Sequence, residues 1–384
     1  MLIFSVIFPE KWVITMDKLD IHPFRSGMQI TKTNQLYLDH AAMSPLHDNI
    51  ANKIAEFHSF RQQQGADFKN WWIEIEETRK TLGKWLQADP KQIAFLWNTS
   101  AGINLAAKGL PLNEGDEIII PDMEFPSNVY PWIHVANEKK AVVKNVYYKA
   151  HYLTAGDIIN AVSERTKVIS VSWVNATNGN KLDVEKLGAF CRKNDIYFVI
   201  DAIQGLGTDD LNLMNVYADF VVSGFYKWLM GPDGLSFVYI SERALREMQS
   251  PWMGWAGMKD KFNYEDIVYD PAQSASRFET GNMNFSAIIG AHKGLKQLYT
   301  SREEIYERVT LLTNKLRDGL QSIPNVKVVS PHNTISGITL FTGKEKKMYD
   351  DLHISVNYRS GIRVSPHFYN TEAEIDQFLN ATDS

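Results

Sequence analysis

The sequence predicts an α/β fold: a large domain built on a mostly parallel sheet flanked by helices, followed by a smaller α+β C-terminal domain. Strand-like and helix-like runs alternate through the middle of the chain, where TKVISVSWV precedes VEKLGAFCRKN and IYFVIDA precedes LNLMN. This alternation is typical of βαβ units. After about Phe285 a long helix is followed by strand patterns near VKVVS and GITLFT. A chain of 384 residues is also too long for one small core.

The change in pattern places the domain boundaries. We predict an N-terminal segment (residues 1–34) that packs on the small domain, a large domain (35–262) and a small domain (263–384). The apolar start MLIFSVIFPEKWVITM has no basic region before it and no small-residue cleavage site after it, and it is too short to span a membrane. We therefore expect a soluble protein, and a true start at Met16 is the alternative for this stretch.

Composition narrows the class of protein. The net charge of −5 gives no electrostatic reason to bind nucleic acid or an anionic membrane, so a small-molecule ligand is expected. The single cysteine, Cys191, excludes an internal disulfide framework and a multi-cysteine metal cluster, and no metal is expected. One cysteine also favours a reducing compartment, so we expect a cytoplasmic protein.

A lysine and an aspartate, each at the end of an apolar run, carry the strongest chemical signal. Lys227 follows ADFVV within SGFYKWLMGPDG, and Asp201 ends IYFVID. Pyridoxal phosphate chemistry needs this pair, because the lysine amine forms a Schiff base while the carboxylate keeps the pyridine nitrogen protonated. A snorkelling lysine and a helix-capping aspartate are the alternatives for each residue alone.

Two further segments have the character of ligand-binding loops. NTSAG follows the strand-like KQIAFLW and opens a helical run, and free amides at a helix start favour an anion. Helix capping without a ligand is the alternative. The stretch from residue 251 to 282 is rich in aromatic residues and glycine, and loops of that length are usually functional or disordered.

Six segments in order resemble the class V aminotransferase family of pyridoxal-phosphate enzymes, which includes cysteine desulfurases, selenocysteine lyases and isopenicillin N epimerase-like proteins. They are NTSAGINLAA, DMEFPSNVYPW, DAIQG, SGFYKWLMGPDG, RFETGN and IRVSPHFYNT. The resemblance extends from YLDHAAMSP to YNTEAEID, about nine tenths of the chain. It implies the type I fold of pyridoxal-phosphate-dependent transferases, with pyridoxal 5'-phosphate as cofactor.

The resemblance also implies roles for individual residues around the cofactor. Lys227 binds it covalently and then acts as general base, Asp201 partners the ring nitrogen, and Gln204 contacts the ring hydroxyl. The residues implied at the phosphate are Ser100, Ala101, Gly102, Ser223 and Tyr226, with Asn282 of a neighbouring subunit. A contact from Asn282 across subunits implies a homodimer.

Three more positions bear on the substrate. Phe125 is placed to stack on the cofactor, but it cannot carry a proton as the histidine of many relatives can. Asn175 or Trp173 is expected to face the cofactor or substrate. Arg363 matches the arginine that holds the substrate α-carboxylate, and an ion pair with a buried acid is the alternative.

The sequence departs from the desulfurase pattern in one respect. Persulfide-forming desulfurases carry a mobile cysteine shortly before the carboxylate-binding arginine, and VNYRSGIRVSP has none. Cys191 falls in a helical pattern before the strand that ends at Asp201. We therefore predict an aminotransferase- or epimerase-like enzyme acting on an amino acid; a cysteine-independent C–S lyase and a non-catalytic family member remain alternatives. The loops around Phe125, Trp173 and Tyr358 decide among these activities.

Overall fold

The computed structural model describes residues 19–384. The helices in this range are α1 (His22–Arg25), α2 (Asp48–Gln64), α3 (Phe68–Leu86), α4 (Thr99–Gly109), α5 (Tyr130–Lys139), α6 (Ala155–Asn160), α7 (Val184–Lys193), α8 (Leu213–Val216), α9 (Glu242–Glu247), α10 (Phe285–Tyr299), α11 (Arg302–Gln321), α12 (Lys346–Asp351) and α13 (Glu372–Asp383). The strands are β1 (Leu36–Tyr37), β2 (Ile93–Leu96), β3 (Glu117–Pro121), β4 (Val142–Val146), β5 (Thr166–Ser172), β6 (Tyr197–Asp201), β7 (Phe220–Gly224), β8 (Ser236–Ile240), β9 (Lys327–Val328), β10 (Thr339–Thr342), β11 (Ile354–Ser355), β12 (Asn357–Tyr358) and β13 (Ile362–Val364).

A seven-stranded sheet forms the centre of the molecule, in the order β2-β8-β7-β6-β5-β3-β4. Every strand except β8 runs in the same direction, because β8 pairs antiparallel with both β7 and β2. The residues of β6 and β7 are buried throughout, as expected for strands covered on both faces. The predicted fold, a mostly parallel sheet flanked by helices, is confirmed.

Alternate residues of each strand enter two separate cores, one on each face of the sheet. In β3, Ile118 and Ile120 pack with α4 and α5, whereas Ile119 belongs to the core formed with α3, α7 and α10. This follows from the two-residue period of a strand. The helices therefore cover both faces and leave the strand ends as the open edge.

The C-terminal part contains a smaller antiparallel sheet in the order β12-β13-β10-β9, packed on α11 and α13. An early segment of the chain also reaches this part, since β1 pairs in parallel with β11 in a separate two-stranded sheet. The side chain of Arg25 also reaches this part, bonding to Glu374 at 2.6 Å and to the Tyr369 carbonyl at 2.9 Å. Residues before 35 therefore do contact the C-terminal part. Helix α10 comes after residue 262 in the chain, yet it packs on α2 and α3 of the predicted large domain. The domain boundary after residue 262 stays a prediction.

The loop over residues 251–282 is packed tightly against itself at its base. A Cβ on Gly254 would lie 1.8 Å from the Thr280 carbonyl oxygen. Glu279, fully buried, accepts hydrogen bonds from Arg79 at 2.8 Å and from the Phe95 amide at 2.8 Å. A buried charge is stable only when it is paired in this way. Glu279 therefore anchors the end of the loop to α3 and β2.

The apolar start of the chain, residues 1–18, lies outside the described residues, so the interpretation of Met16 stays a prediction. From Leu19 onward, no helix combines the length and apolar character that a membrane span requires.

Candidate active site

The carboxyl ends of β2, β3, β5, β6 and β7 meet at one edge of the central sheet, because these strands are parallel. Open α/β sheets bind ligands outside this edge. The segments that leave it carry the chemistry-bearing residues: Asn98–Gly102 after β2, Glu124–Phe125 after β3, Asp201 at the end of β6 and Lys227 after β7. Four of the six family-like segments thus converge at one place.

Asp201 and Lys227 are both buried, with 3% and 7% of their surfaces exposed, and each influences the pKa of the other. Burial raises the pKa of Asp201 to about 6, although the nearby Lys227 opposes the shift. Burial likewise lowers the pKa of Lys227 to about 8, with Asp201 acting in the opposite direction. A neutral amine is the nucleophilic form of lysine, so this environment prepares Lys227 to attack an aldehyde.

Two aromatic rings stand beside the lysine amine. The Nζ atom of Lys227 lies 5.7 Å from the centre of the Phe125 ring and 5.8 Å from that of Tyr226. Phe125 is 42% exposed, so its ring is only partly covered by the protein. Phe125 and Tyr226 therefore both lie near the Lys227 amine. The stacking of Phe125 on the cofactor and the phosphate contact of Tyr226 stay predictions.

At the start of α4, a side chain that caps the helix lies close to a buried hydroxyl group without a hydrogen-bond partner among residues 19–384. Asn98 caps the helix, its side chain accepting the Ala101 amide at 2.9 Å, and Ser100 shares a 2.7 Å hydrogen bond with Ser127. Thr99 Oγ1 is buried and has no hydrogen-bond partner in the range 19–384. The capping alternative therefore accounts for the Ala101 amide, and Thr99 is a donor that the sequence interpretation missed.

Gly102 and Ser223 fix the approach of α4 to β7. A Cβ on Gly102 would lie 2.4 Å from Val222, so only glycine lets the helix lie this close to the strand. Ser223 is 1% exposed, and its hydroxyl donates to the Gly224 carbonyl at 3.1 Å. Their predicted phosphate contacts stay predictions.

Gln204 is buried beneath the lysine segment. Its Nε2 donates to the Ala41 carbonyl at 2.9 Å, and its Oε1 accepts from Trp228 Nε1 at 3.0 Å. One of the two amide hydrogens is left for a further partner. The predicted contact with the ring hydroxyl stays a prediction.

Asn175 joins two loops. Its Nδ2 donates to the Met123 carbonyl at 2.8 Å, and its Oδ1 accepts from the amides of Thr177 and Asn178. The ring of Trp173 packs on Gly205, where a Cβ would lie 2.3 Å from Trp173 Cε3. Both side chains thus have structural partners, and the choice between them as cofactor contacts stays open.

Arg363 forms an ion pair, but at least one of its N–H groups has no hydrogen-bond partner among the described residues. Its Nη2 lies 3.1 Å from Asp39 and its Nη1 donates to the Ala176 carbonyl at 2.7 Å. The Nε atom is buried and lacks a partner within residues 19–384. The ion pair named as the alternative is therefore present, yet the guanidinium keeps free N–H groups. Arg363 also contributes to lowering the pKa of Lys227, which places its charge near the amine.

Glu124 is a functional candidate that the sequence interpretation missed. Its carboxyl group accepts the Ser172 amide at 2.6 Å and also bonds to the Ser172 hydroxyl, and Ser172 is the β5 neighbour of Asp201. Burial, and to a smaller extent Asp201, raises the pKa of Glu124 to about 7. The sequence feature that could have identified Glu124 is an acidic residue directly before Phe125, shortly after a strand-like run.

Cys191, which was not expected at the site, and Asn282, which was expected to reach a partner's phosphate, both lie away from this sheet edge. Cys191 is buried on α7, where burial raises the pKa of its thiol to about 12. Asn282 lines a surface cavity with Arg61, Phe68 and Trp71, on the side of α2 and α3. No cluster of His, Cys, Asp and Glu suited to a metal ion is found in the part of the chain that the structure describes.

The groups at the sheet edge fit an anionic, aromatic aldehyde. The unpaired Thr99 hydroxyl lies at a helix start suited to phosphate, Asp201 is placed for a ring nitrogen, and Lys227 for the aldehyde. Such a cofactor, when bound, supplies an electron sink for bonds at the substrate α-carbon. The fold and site together define a pyridoxal-phosphate-binding α/β enzyme.

Comparisons with known proteins agree. The chain matches the family model Aminotransferase class-V over residues 36–355. It is 26% identical to Probable cysteine desulfurase of Borreliella burgdorferi, with 90% of each chain aligned. Its fold is similar to that of the apo cysteine desulfurase of Thermococcus onnurineus, with a TM-score of 0.86, 24% identity and coverage of 94% and 96%. It is also similar to a mutant of the cystine C–S lyase C-DES with glycine covalently linked to its PLP cofactor, with a TM-score of 0.88, 20% identity and coverage of 94% and 99%.

The chain belongs to the class V aminotransferase family, because the family model covers more than half of it. The resemblance carried by the six segments is therefore confirmed. Membership of this family of pyridoxal-phosphate enzymes also confirms the predicted enzyme class and cofactor.

The raised pKa of Glu124 predicts a pH effect on stability. In unfolded chains this carboxyl group loses its proton near pH 4.5, whereas in the folded protein it keeps it to about pH 7. The stability that Glu124 contributes is thus complete below pH 4.5 and is lost as pH rises to 7, by about 3 kcal/mol. Glu124→Gln stays neutral and can still bond to Ser172, so the cofactor-free variant should lack this decline. Denaturant titrations from pH 4 to 8 measure it; parallel curves for the two proteins would contradict the assignment.

Proposed function

We propose that the protein acts on the α-carbon of an amino acid, with Lys227 as the cofactor lysine and base and Arg363 as the carboxylate ligand. The observation that carries this proposal is the buried Lys227 amine, which lies opposite Asp201 and near a guanidinium with free N–H groups. An α-carboxylate can replace water at that guanidinium and place the α-carbon over the amine. Planar, forked arginine is suited to this task.

Within this proposal, an aminotransferase-like reaction is favoured over epimerisation. Lys227 has a pKa of about 8, close to neutral, whereas Phe125 has no proton to transfer and burial raises the pKa of Tyr226. Transfer of the amino group needs only one base, which would move the Cα proton to the cofactor's aldehyde carbon on the same face. Epimerisation needs a second acid on the opposite face, and Phe125 has no proton to supply.

A cysteine-independent C–S lyase is the second candidate. Curated relatives such as the Borreliella burgdorferi protein are named as desulfurases, which favours a sulfur-containing substrate. The only thiol of the chain is buried on α7 with a raised pKa. Sulfur released from such a substrate would therefore leave without passing through an enzyme thiol.

Lys227→Ala tests the covalent link. The purified protein is expected to absorb visible light through the lysine–cofactor linkage, and Lys227→Ala to lose that band. Lys227→Arg keeps the positive charge but cannot form the linkage, so it should lose the band as well. Lys91→Ala removes an exposed lysine and should leave the spectrum unchanged. A wild-type band in the Lys227→Ala protein would refute the assignment.

An amino-acid scan separates the candidates. Incubation with amino acids and an acceptor keto acid should give keto-acid product only when the acceptor is present, if transfer is the reaction. Release of sulfide from cysteine or cystine without an acceptor would instead identify the lyase. Arg363→Lys should weaken substrate binding by roughly tenfold or more, because it loses the bidentate contact. A spectrum that responds to no amino acid would favour a non-catalytic family member.

We also propose that the active unit is a homodimer. The loop before Asn282 exposes Phe262, Tyr264, Ile267 and Tyr269, and Ile267 is 93% exposed. Exposed apolar groups of this extent are typical of interaction surfaces. The surface formed by Phe262–Tyr269 and the neighbouring side chains of α3 suits a second copy, which would bring Asn282 to the partner's cofactor. The buried Glu279 anchor supports this arrangement by fixing the base of the loop.

Light scattering is expected to show twice the mass of one chain. Ile267→Glu places a charge in the proposed interface and should shift the protein toward monomer with weaker cofactor retention. Met214→Glu is the matched control, since Met214 on α8 is also exposed, at 65%, but lies outside this surface. A wild-type monomer that retains the cofactor would contradict the dimer.

A further inference from the structure

We propose that His367 is a positioning residue for Lys227. This inference rests on the proposed role of Lys227 as the cofactor lysine. His367 lies in the segment between β13 and α13, far from Lys227 in sequence, and is fully buried. Its Nε2 lies 3.0 Å from the carbonyl oxygen of Trp228, the residue directly after Lys227.

The hydrogen bonds of His367 fix its tautomer. The Phe368 amide lies 2.8 Å from Nδ1, and since a backbone amide only donates, Nδ1 must be unprotonated. The proton is therefore on Nε2, which donates it to the Trp228 carbonyl. Burial lowers the pKa of His367 to about 4, so the neutral form persists through the physiological range. The bond to Trp228 is thus a permanent contact of the folded protein.

The titratable group packed directly against His367 is also neutral. His40 lies with its ring 5.3 Å from that of His367 and donates from Nδ1 to the Ser365 carbonyl at 2.8 Å. Its Nε2 accepts from the Tyr369 hydroxyl at 2.7 Å. Burial holds the pKa of His40 well below its usual value and that of Tyr369 well above. His367 therefore acts on Lys227 through geometry rather than through charge.

The main chain around Lys227 is held on both sides by other parts of the protein. The Tyr226 carbonyl accepts the Ser44 amide at 2.8 Å, and the Trp228 carbonyl accepts His367 at 3.0 Å. Trp228 is further fixed by the bond from its indole to Gln204. Between these two held carbonyls the Lys227 amine is kept in its buried position opposite Asp201. Loss of the His367 bond would let the segment shift and expose the amine to water.

Three substitutions of His367 separate the hydrogen-bond donor from the rest of the side chain. His367→Gln can place its Nε2 where the histidine Nε2 lies and so keep the bond to Trp228. His367→Asn keeps an acceptor for the Phe368 amide but is too short to reach Trp228. His367→Met fills much of the ring volume without any donor and is the second arm of the test.

The test measures the pH midpoint of the visible absorption band in the holoenzyme, together with its thermal unfolding temperature. We expect the Asn and Met variants to raise the midpoint by about one pH unit, a tenfold change in proton affinity, since water would then stabilise the charged form. The Gln variant should keep the wild-type midpoint. Lower unfolding temperatures with unchanged midpoints in all variants would overturn the inference, because His367 would then only pack. A wild-type protein without the band would instead refute the proposed function.

Discussion

The burial of the Lys227 amine opposite Asp201 is the interaction on which the rest of the site depends. Removing charged groups from water is costly unless nearby groups compensate for the lost hydration. The neighbouring groups meet this condition: the charge of Arg363 is paired with Asp39, and the raised pKa of Glu124 favours a neutral carboxyl group up to about pH 7. The same burial brings the Lys227 pKa close to neutral, so the environment that makes the pair costly also makes the lysine reactive.

That burial requires two distant parts of the chain to close over the lysine segment. Ser44, from the segment after β1, and His367, from the segment before α13, each bond to a carbonyl next to Lys227. These two segments are also bonded to each other, since the Ala41 amide donates to Ser365 at 3.0 Å. Strand β13 of the antiparallel sheet carries Arg363, and the segment that follows β13 also packs against the main chain around Lys227.

Sequence reasoning predicted the parts of the molecule that depend on local pattern. The alternation of apolar runs gave the parallel sheet, and the positions of Asp201 and Lys227 at the ends of such runs gave the site, because parallel strand ends meet at one edge. Pattern could not predict that β8 is antiparallel, since periodicity does not set strand order. Nor could it predict that Asn98 occupies the Ala101 amide or that Glu124 bonds to Ser172. Those contacts depend on how separate loops pack in space.

The short β12–β13 hairpin adds positive charge near Lys227. Only Arg359, Ser360 and Gly361 connect the two strands, and the Arg359 amide bonds to the Gly361 carbonyl at 2.8 Å. The turn is therefore short and closed by its own backbone hydrogen bond. The positive charge of Arg359 acts on Lys227 in addition to that of Arg363. The hairpin therefore helps to keep the Lys227 amine close to neutral, the form in which a lysine is nucleophilic.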